Sequence, residues 1–357
     1  MGVVYFIQNM NSKNSYSLPL DKFIDLCLYD KKVGYYMRKN PFGEKGDFIT
    51  APNVSRMFSE MIAIWIVGFW ENLGSPKKFN LIELGAGNGS MMKILIESFK
   101  NFPDFFKACN ILIHEKSPKM INIQKKELKI KKVVWISEFK QIKKIPSIFI
   151  ANEFFDSIAI KQFNRKKNTW FEKYVKIQKN KSGFFFNKKF NMKKFEKKID
   201  YNISKNQNFI EYSLVGTKYL KNITNFIKKN NGGLLIIDYG YFEKKMKNTL
   251  RAISNHKYSD ILQNMGKSDI THNINFYLFR KLIKKLGGVS NILTTQRDFL
   301  INMGIEKRAE IISKNQNFSK KADIYFRLKK LIDINQMGKI FKVMFIKKQK
   351  NNYKLGF

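Results

Sequence analysis

The stretch Leu81-Ile82-Glu83-Leu84-Gly85-Ala86-Gly87-Asn88-Gly89 constrains the fold more than any other part of this chain. Four mostly apolar residues run into three glycines at alternate positions. Ser90 to Phe99 follows, with Met91, Ile94, Leu95 and Phe99 able to share one side of a helix. Strand, glycine turn and helix start, in that order, are how a doubly wound sheet makes a seat for a nucleotide-like ligand. Glycine lets the backbone turn sharply there and lets a ligand approach without meeting a Cβ.

The spacing also narrows the ligand. A dinucleotide turn wants a third glycine three residues after the second, and a phosphate loop ends in Gly-Lys-Ser/Thr. Here the turn is Gly-x-Gly-x-Gly without Lys, and Glu83 precedes it by two residues. A carboxylate beside the turn repels pyrophosphate and suits a cationic ligand part. S-adenosylmethionine, with a sulfonium, an ammonium and no phosphate, is the better guest; a tight turn with no ligand is the plain alternative. A second apolar run, Cys109 to Ile113, ends in His114-Glu115-Lys116-Ser117-Pro118. An acidic residue ending the second strand is placed to accept both ribose hydroxyls. Glu115 is therefore the expected ribose ligand, although a Glu in that place can be merely a solvated loop residue.

At 357 residues and 44% hydrophobic, the chain can bury a large core and exceeds one minimal domain. Its two cysteines, Cys27 and Cys109, lie inside apolar patterns without metal-type spacing, which argues for a reducing compartment. The net charge of +39 invites a nucleic-acid reading. Only eight of the 67 basic residues are Arg, however, and Asn, Ile and Phe are also in excess, as in an AT-rich coding bias. Specific nucleic-acid sites use Arg for bidentate contacts, so no specific nucleic-acid partner is expected. The longest apolar run, Met61 to Trp70, is too short to span a bilayer. The N-terminus lacks a signal-peptide pattern, and Phe6 stands where a myristoylation signal wants Ser or Thr. The default expectation is a soluble cytoplasmic protein of open oligomeric state.

Taken in order, residues 1–77 read as a mostly helical N-terminal cover, with helices at Leu18 to Tyr29 and Ser55 to Leu73 around an irregular Gly46 to Pro52. Residues 78–162 read as the first half of a Rossmann-like core. Its strands are Phe79 to Leu84, Asn110 to His114, Val133 to Ile136 and Ser147 to Ala151. Residues 163–230 read as an insertion of antiparallel strands (Trp170 to Ile177, Gly183 to Phe190) and a return helix, Phe209 to Lys229. Residues 231–357 read as the second half, with a fifth strand at Gly232 to Tyr241 and a long loop from Thr249 to Phe276. A helix from Phe276 to Leu286 follows. The final strand pair, Val289 to Thr295 and Lys339 to Lys347, encloses a helix near Lys320 to Ile334. No internal repeat is visible.

Together these motifs resemble the MidA-like methyltransferases, which include mitochondrial complex I assembly-factor methyltransferases and bacterial relatives. The resemblance runs through Gly34-Tyr35-Tyr36, Gly46 to Pro52, Glu83 to Gly89 and Glu115 to Pro118. It continues through Ala151 to Asp156, Ile237-Asp238-Tyr239-Gly240, Asp269 to His272 and Met337 to Lys342, in the family's order and over nearly the whole chain. It implies an α/β, class I methyltransferase sheet of seven strands with the last antiparallel, an N-terminal helical extension and an inserted β-rich segment. S-adenosyl-L-methionine is the implied cofactor, seated on Glu83, Gly85, Gly87, Gly89 and Glu115 with Asp47 and Thr50 beside them. The implied activity is methylation of a protein arginine, with a respiratory complex I subunit as the implied partner. The family turn usually reads Gly-Pro-Gly-Arg-Gly, and here Ala86 and Asn88 replace the Pro and Arg. Asn53 stands for a common Glu and Ser59 for a usual Gly.

Methyl transfer from a sulfonium needs an in-line nucleophile and exclusion of water, so positioning carries most of the barrier reduction. A guanidinium acceptor enters as a cation, and carboxylates must hold it. Glu153 and Asp156 past the fourth strand, with Asp238 and Tyr239 past the fifth, are the catalytic candidates; each can instead tie loop backbones together. His256, Asp269 and His272 lack metal spacing, and no metal is expected. A catalytically silent binding module on the same fold is the alternative, and an RNA methyltransferase, suggested only by charge, is a weaker one.

Overall fold

The most apolar runs of the sequence become the central strands. They are β1 (Phe79–Leu84), β2 (Cys109–His114), β3 (Val133–Ile136), β4 (Ser147–Asn152), β5 (Gly232–Tyr241), β6 (Val289–Thr295) and β7 (Phe341–Lys348). All six residues of β1 are buried, as befits a strand covered on both faces of a parallel sheet. The computed structural model describes residues 16–38, 41, 50–130, 132–177, 182–254 and 257–357. Their order across the sheet is β3-β2-β1-β4-β5-β7-β6. The pairs β3–β2, β2–β1, β1–β4 and β4–β5 are parallel, and β7 is antiparallel to both neighbours. Strand order reverses between β1 and β4, so a crevice opens beyond their carboxyl ends.

Helices close both faces. On one side α2 (Arg56–Asn72) and α3 (Ser90–Phe99) share a core with Leu81, Ile113 and Phe345. On the other, α5 (Leu214–Asn230) and α6 (Phe276–Leu286) share a core with Ile82, Phe149 and Ile236. A third core, over the crevice, joins α1 (Leu20–Tyr29) to the inserted sheet through Phe23, Cys27, Val175 and Ile177. The inserted strands Lys161–Lys166, Thr169–Ile177, Gly183–Phe190 and Phe209–Tyr212 are all antiparallel, and Tyr16–Pro19 joins them by pairing with Thr169–Ile177.

Several sequence expectations change. The return helix begins at Leu214, because Phe209–Tyr212 adds a strand to the inserted sheet first. Ser213 then caps the helix by accepting from Gly216 N. The expected long loop from Thr249 holds a small sheet of Arg251–Ser254, Lys257–Ser259 and Asp269–Thr271. Strands of three or four residues are too short to show alternation. Between β6 and β7 stand α7 (Ile305–Ser313) and α8 (Phe318–Ile332), besides Gln296–Asn302 and Met337–Ile340, where one helix was expected.

Candidate functional site

The glycine turn is built as its sequence demands. Gly85, Gly87 and Gly89 all take positive φ (+65°, +52° and +86°), a region side chains with a Cβ rarely adopt. The Gly85 N–H donates to the His114 carbonyl at 2.9 Å, pinning the turn to the end of β2. A Cβ on Gly85 would lie 2.9 Å from the Phe154 ring.

Glu83 sits at the base of this turn, only 3% exposed, with Oε2 lacking a hydrogen-bond partner among the described residues. Burial, helped by the nearby Glu115 charge, pushes its pKa up to about 8. A buried carboxylate oxygen calls for a cation or an N–H group as its partner. The α-ammonium of S-adenosylmethionine is such a group, so the residues present fit that cofactor.

Glu115 is locked in place at the end of β2. Its Oε1 accepts from Lys116 N (2.8 Å) and Ser117 N (2.9 Å), and its Oε2 from Gln124 Nε2 (3.1 Å). Burial raises its pKa while these donors pull it down. Gln124, fully buried on α4 (Pro118–Leu128), also donates to the Gly87 carbonyl at 2.8 Å and accepts from Trp135 Nε1 at 2.8 Å. One side chain thus couples the turn to the expected ribose ligand. Sequence reading missed Gln124. Its signal was a glutamine on the buried Met120, Gln124, Leu128 stripe of a lysine-rich helix.

Two clefts meet at Gly85 and Gly87. The larger, of about 800 Å³, is lined by Glu115, Tyr29, Tyr36, Tyr219, Phe154 and Lys116, among others. Tyr29 and Tyr36 stack at 5.5 Å, and Lys116 Nζ lies over the rings of Tyr29 and Tyr219. These aromatic walls were also missed, because Tyr29 and Tyr219 come from segments far apart in the chain. The smaller cleft, of about 360 Å³, is lined by Thr50, Pro52, Glu83, Asn88, Asn152 and Glu153 around the turn. Its cover is tied down by Asn53, whose Nδ2 donates to Thr50 Oγ1 (2.9 Å) and whose Oδ1 accepts from Ser90 Oγ (3.0 Å) and Asn88 Nδ2 (3.5 Å). Asn53 and Asn88, two departures from the family pattern, therefore meet each other. Asp47 lies outside the described residues, as does His256.

Glu153 lines both clefts. It follows β4 in the left-handed region (φ +48°), half-buried, its N–H donating to the Ile237 carbonyl. Burial, then the Asp156 charge, push it up to about 8, against hydrogen bonds from Ala51 N–H, Asn152 and the Tyr239 hydroxyl. The two aspartates lie behind it. Asp238, fully buried, accepts from Phe155 N (2.9 Å), Asp156 N (3.3 Å) and Tyr239 N (2.9 Å). Burial and the charges of Asp156 and Glu153 hold it well above the usual carboxylate range. Asp156 accepts from Thr271 Oγ1 at 2.9 Å and lines neither cleft. Asp269 accepts from the Tyr36 hydroxyl, and His272 Nε2 faces the Ile158 carbonyl at 3.1 Å.

A mostly parallel sheet ordered 3-2-1-4-5-7-6, with a glycine turn after its first strand and an acid after its second, is the form of the class I methyltransferase fold. Residues 61–293 match a family described as "Putative S-adenosyl-L-methionine-dependent methyltransferase", and the chain belongs to that family. It is an S-adenosylmethionine-dependent methyltransferase by that membership. Among curated proteins it is 27% identical over 360 residues to "Protein arginine methyltransferase NDUFAF7, mitochondrial" of Xenopus tropicalis, covering 92% of this chain and 82% of that one. It is 29% identical to the Caenorhabditis elegans homologue, covering 80% and 73%. A Burkholderia thailandensis protein of the COG1565 superfamily, solved bound to S-adenosyl-homocysteine, superposes with a TM-score of 0.78 at 19% identity, over 95% of this chain and 90% of that one. The cytoplasmic expectation is corrected by the curated relatives, which are named as mitochondrial. That expectation rested on missing signals, and neither a missing signal nor a fold encodes a compartment.

Proposed function

We propose that this methyltransferase modifies an arginine side chain of a protein partner, a respiratory complex I subunit being the partner its family resemblance implies. Glu153 is the observation that carries the reading. It is a raised-pKa carboxylate lining both clefts, one of which holds Glu83, which would take the cofactor's ammonium, and the other Glu115, which would take its ribose. Bound S-adenosylmethionine supplies an electrophilic methyl group. Glu153 receives the acceptor guanidinium, whose positive charge offsets the burial that otherwise disfavours the carboxylate. Transfer of that methyl group to the guanidinium would release one proton from the attacking nitrogen. Glu153, ionised against the guanidinium, would take that proton.

In this reading Gly85, Gly87 and Gly89 with Thr50 line the cofactor seat. Tyr239 orients Glu153, and Asp156 and Asp238 hold the loop that carries it. Residues 1–77 act as the cover and 163–230 as an insertion between the core halves 78–162 and 231–357. The names of the curated relatives support an arginine acceptor. Glu153→Gln keeps the shape and removes the charge. The lost charge-assisted contact is worth about 1.5–3 kcal/mol, or roughly ten- to a hundredfold in rate. Methylation measured by mass spectrometry should slow by that factor while calorimetric cofactor affinity stays nearly constant. Loss of cofactor binding would instead reassign Glu153 to the cofactor seat, and a methyl group found on lysine would remove the arginine acceptor.

A further inference from the structure

Helix α8 carries two apolar stripes where a surface helix needs one. Ile324, Leu328 and Leu331 face inward and pack on the core shared with α2. Phe318, Ala322, Tyr325 and Phe326 recur at i, i+4, i+7 and i+8, a spacing that also gathers them on one face, and this face points outward. Phe318 is 88% exposed, Phe326 66% and Tyr325 45%. Scattered apolar residues on a surface need no explanation, but two exposed phenylalanines and a tyrosine in register on one ridge mark a contact surface.

The ridge is edged with positive charge. Lys321 and Lys329 are exposed and Lys330 is half-buried. The helix's own acid, Asp323, is occupied by Arg327 at 2.7 Å. Across a chain of net charge +39, a second copy of this surface meets electrostatic repulsion. Protein interfaces are depleted in lysine, whereas helices that lie in a lipid interface combine lysines with Phe, Trp or Leu. A convex ridge also offers no groove for a partner's side chains, while lipid headgroups yield around it.

We propose that the Phe318–Ala322–Tyr325–Phe326 ridge of α8, with its lysine border, seats the protein on an anionic lipid surface. The rings enter the interface, and the lysine stems lie alongside with their ammonium groups at the phosphates. No described helix is long and apolar enough to cross a membrane, and a peripheral seat needs none. On its other side, Arg327 Nη1 donates to the Val54 carbonyl at 2.9 Å, so the seated helix touches the cover of the Glu83 cleft. The proposal is independent of which side chain the enzyme methylates.

Co-sedimentation of the full chain with phosphatidylcholine vesicles containing about one-third phosphatidylserine tests it, at about 0.1 M salt. The protein is expected to partition onto these vesicles and at least about tenfold less onto pure phosphatidylcholine. The double variant F318S/F326S keeps the net charge unchanged and alters only exposed positions. Its partitioning should fall about tenfold or more, with cofactor affinity and thermal midpoint as in the parent. Trp in both places (F318W/F326W) should restore binding and give a blue-shifted emission on the anionic vesicles. Undiminished partitioning of F318S/F326S would reduce the attraction to bulk charge and overturn the proposal, as would unshifted Trp emission. A lipid-free dimer dissolved by F318S/F326S would also overturn it, assigning the ridge to a protein contact.

Discussion

Buried Glu83 and half-buried Glu153 are both held at about 8 against a usual 4.5, and this has a measurable consequence for the cofactor-free protein. Their folded-state pKa exceeds the unfolded one, so the native chain keeps protons that the unfolded chain has released. The stability they contribute is full below about 4.5 and is lost as pH rises through about 8. Denaturant midpoints of the cofactor-free protein should therefore fall over that window, and Glu83→Gln should flatten the fall. Binding a cationic cofactor against Glu83 favours its ionised form, so proton release should accompany binding at pH 7. Calorimetry in buffers of different ionisation enthalpy reads this directly. The release should shrink in Glu83→Gln, and identical proton counts for parent and variant would place the ammonium elsewhere.

At the scale of elements, the turn after β4 is held from β5 rather than by its own sequence. Asp238 accepts three backbone N–H groups, two of them from that turn. Asp238→Asn replaces one accepting oxygen with an NH2 that faces a donor. It should cost on the order of 2 kcal/mol in chemical denaturation. Glu153→Gln, in contrast, should raise the denaturant midpoint at neutral pH, because it removes an acid that the fold keeps protonated, so the pair of variants separates support from chemistry. The inserted sheet shows the same dependence on partners. Glu172 and Lys173 are successive residues of one strand and point to opposite faces of the inserted sheet, yet both are buried because both faces are covered. Glu172 pairs with Lys161 at 2.5 Å, and Lys173 donates to Gln162 Oε1 at 2.8 Å. A sheet with one solvated face would have left one of them in water.

For the molecule as a whole, the question is what the charge of +39 does. Three of the arginines, Arg56, Arg308 and Arg327, are engaged by Glu60, Glu97 and Asp323. The arginine forks best suited to base edges are thus partly spent on the protein itself. Affinity for unrelated RNA or DNA should be weak, fall steeply between about 50 and 200 mM salt, and show no sequence preference. Filter binding across a salt series checks this. One RNA retained at physiological salt would revive an RNA acceptor.

The apolar run Phe79 to Leu84, the alternate glycines and the acid after β2 are local features, and local backbone sterics and strand burial act on them directly. For that reason the sequence alone determined the sheet, the glycine turn and the class of ligand. Gln124, the Tyr29–Tyr36 stack and the Asn53–Asn88 contact join residues 7 to 37 positions apart, and no periodicity records such pairings. Neither could it separate Glu153 from Asp156 and Asp238, three acids at strand ends with similar surroundings in sequence. Only the tertiary structure decided that Glu153 faces the clefts while Asp238 turns into the loop. The direction of a side chain beyond a strand end is set by the donors waiting around it, and those arrive from β5 and from the N-terminal cover.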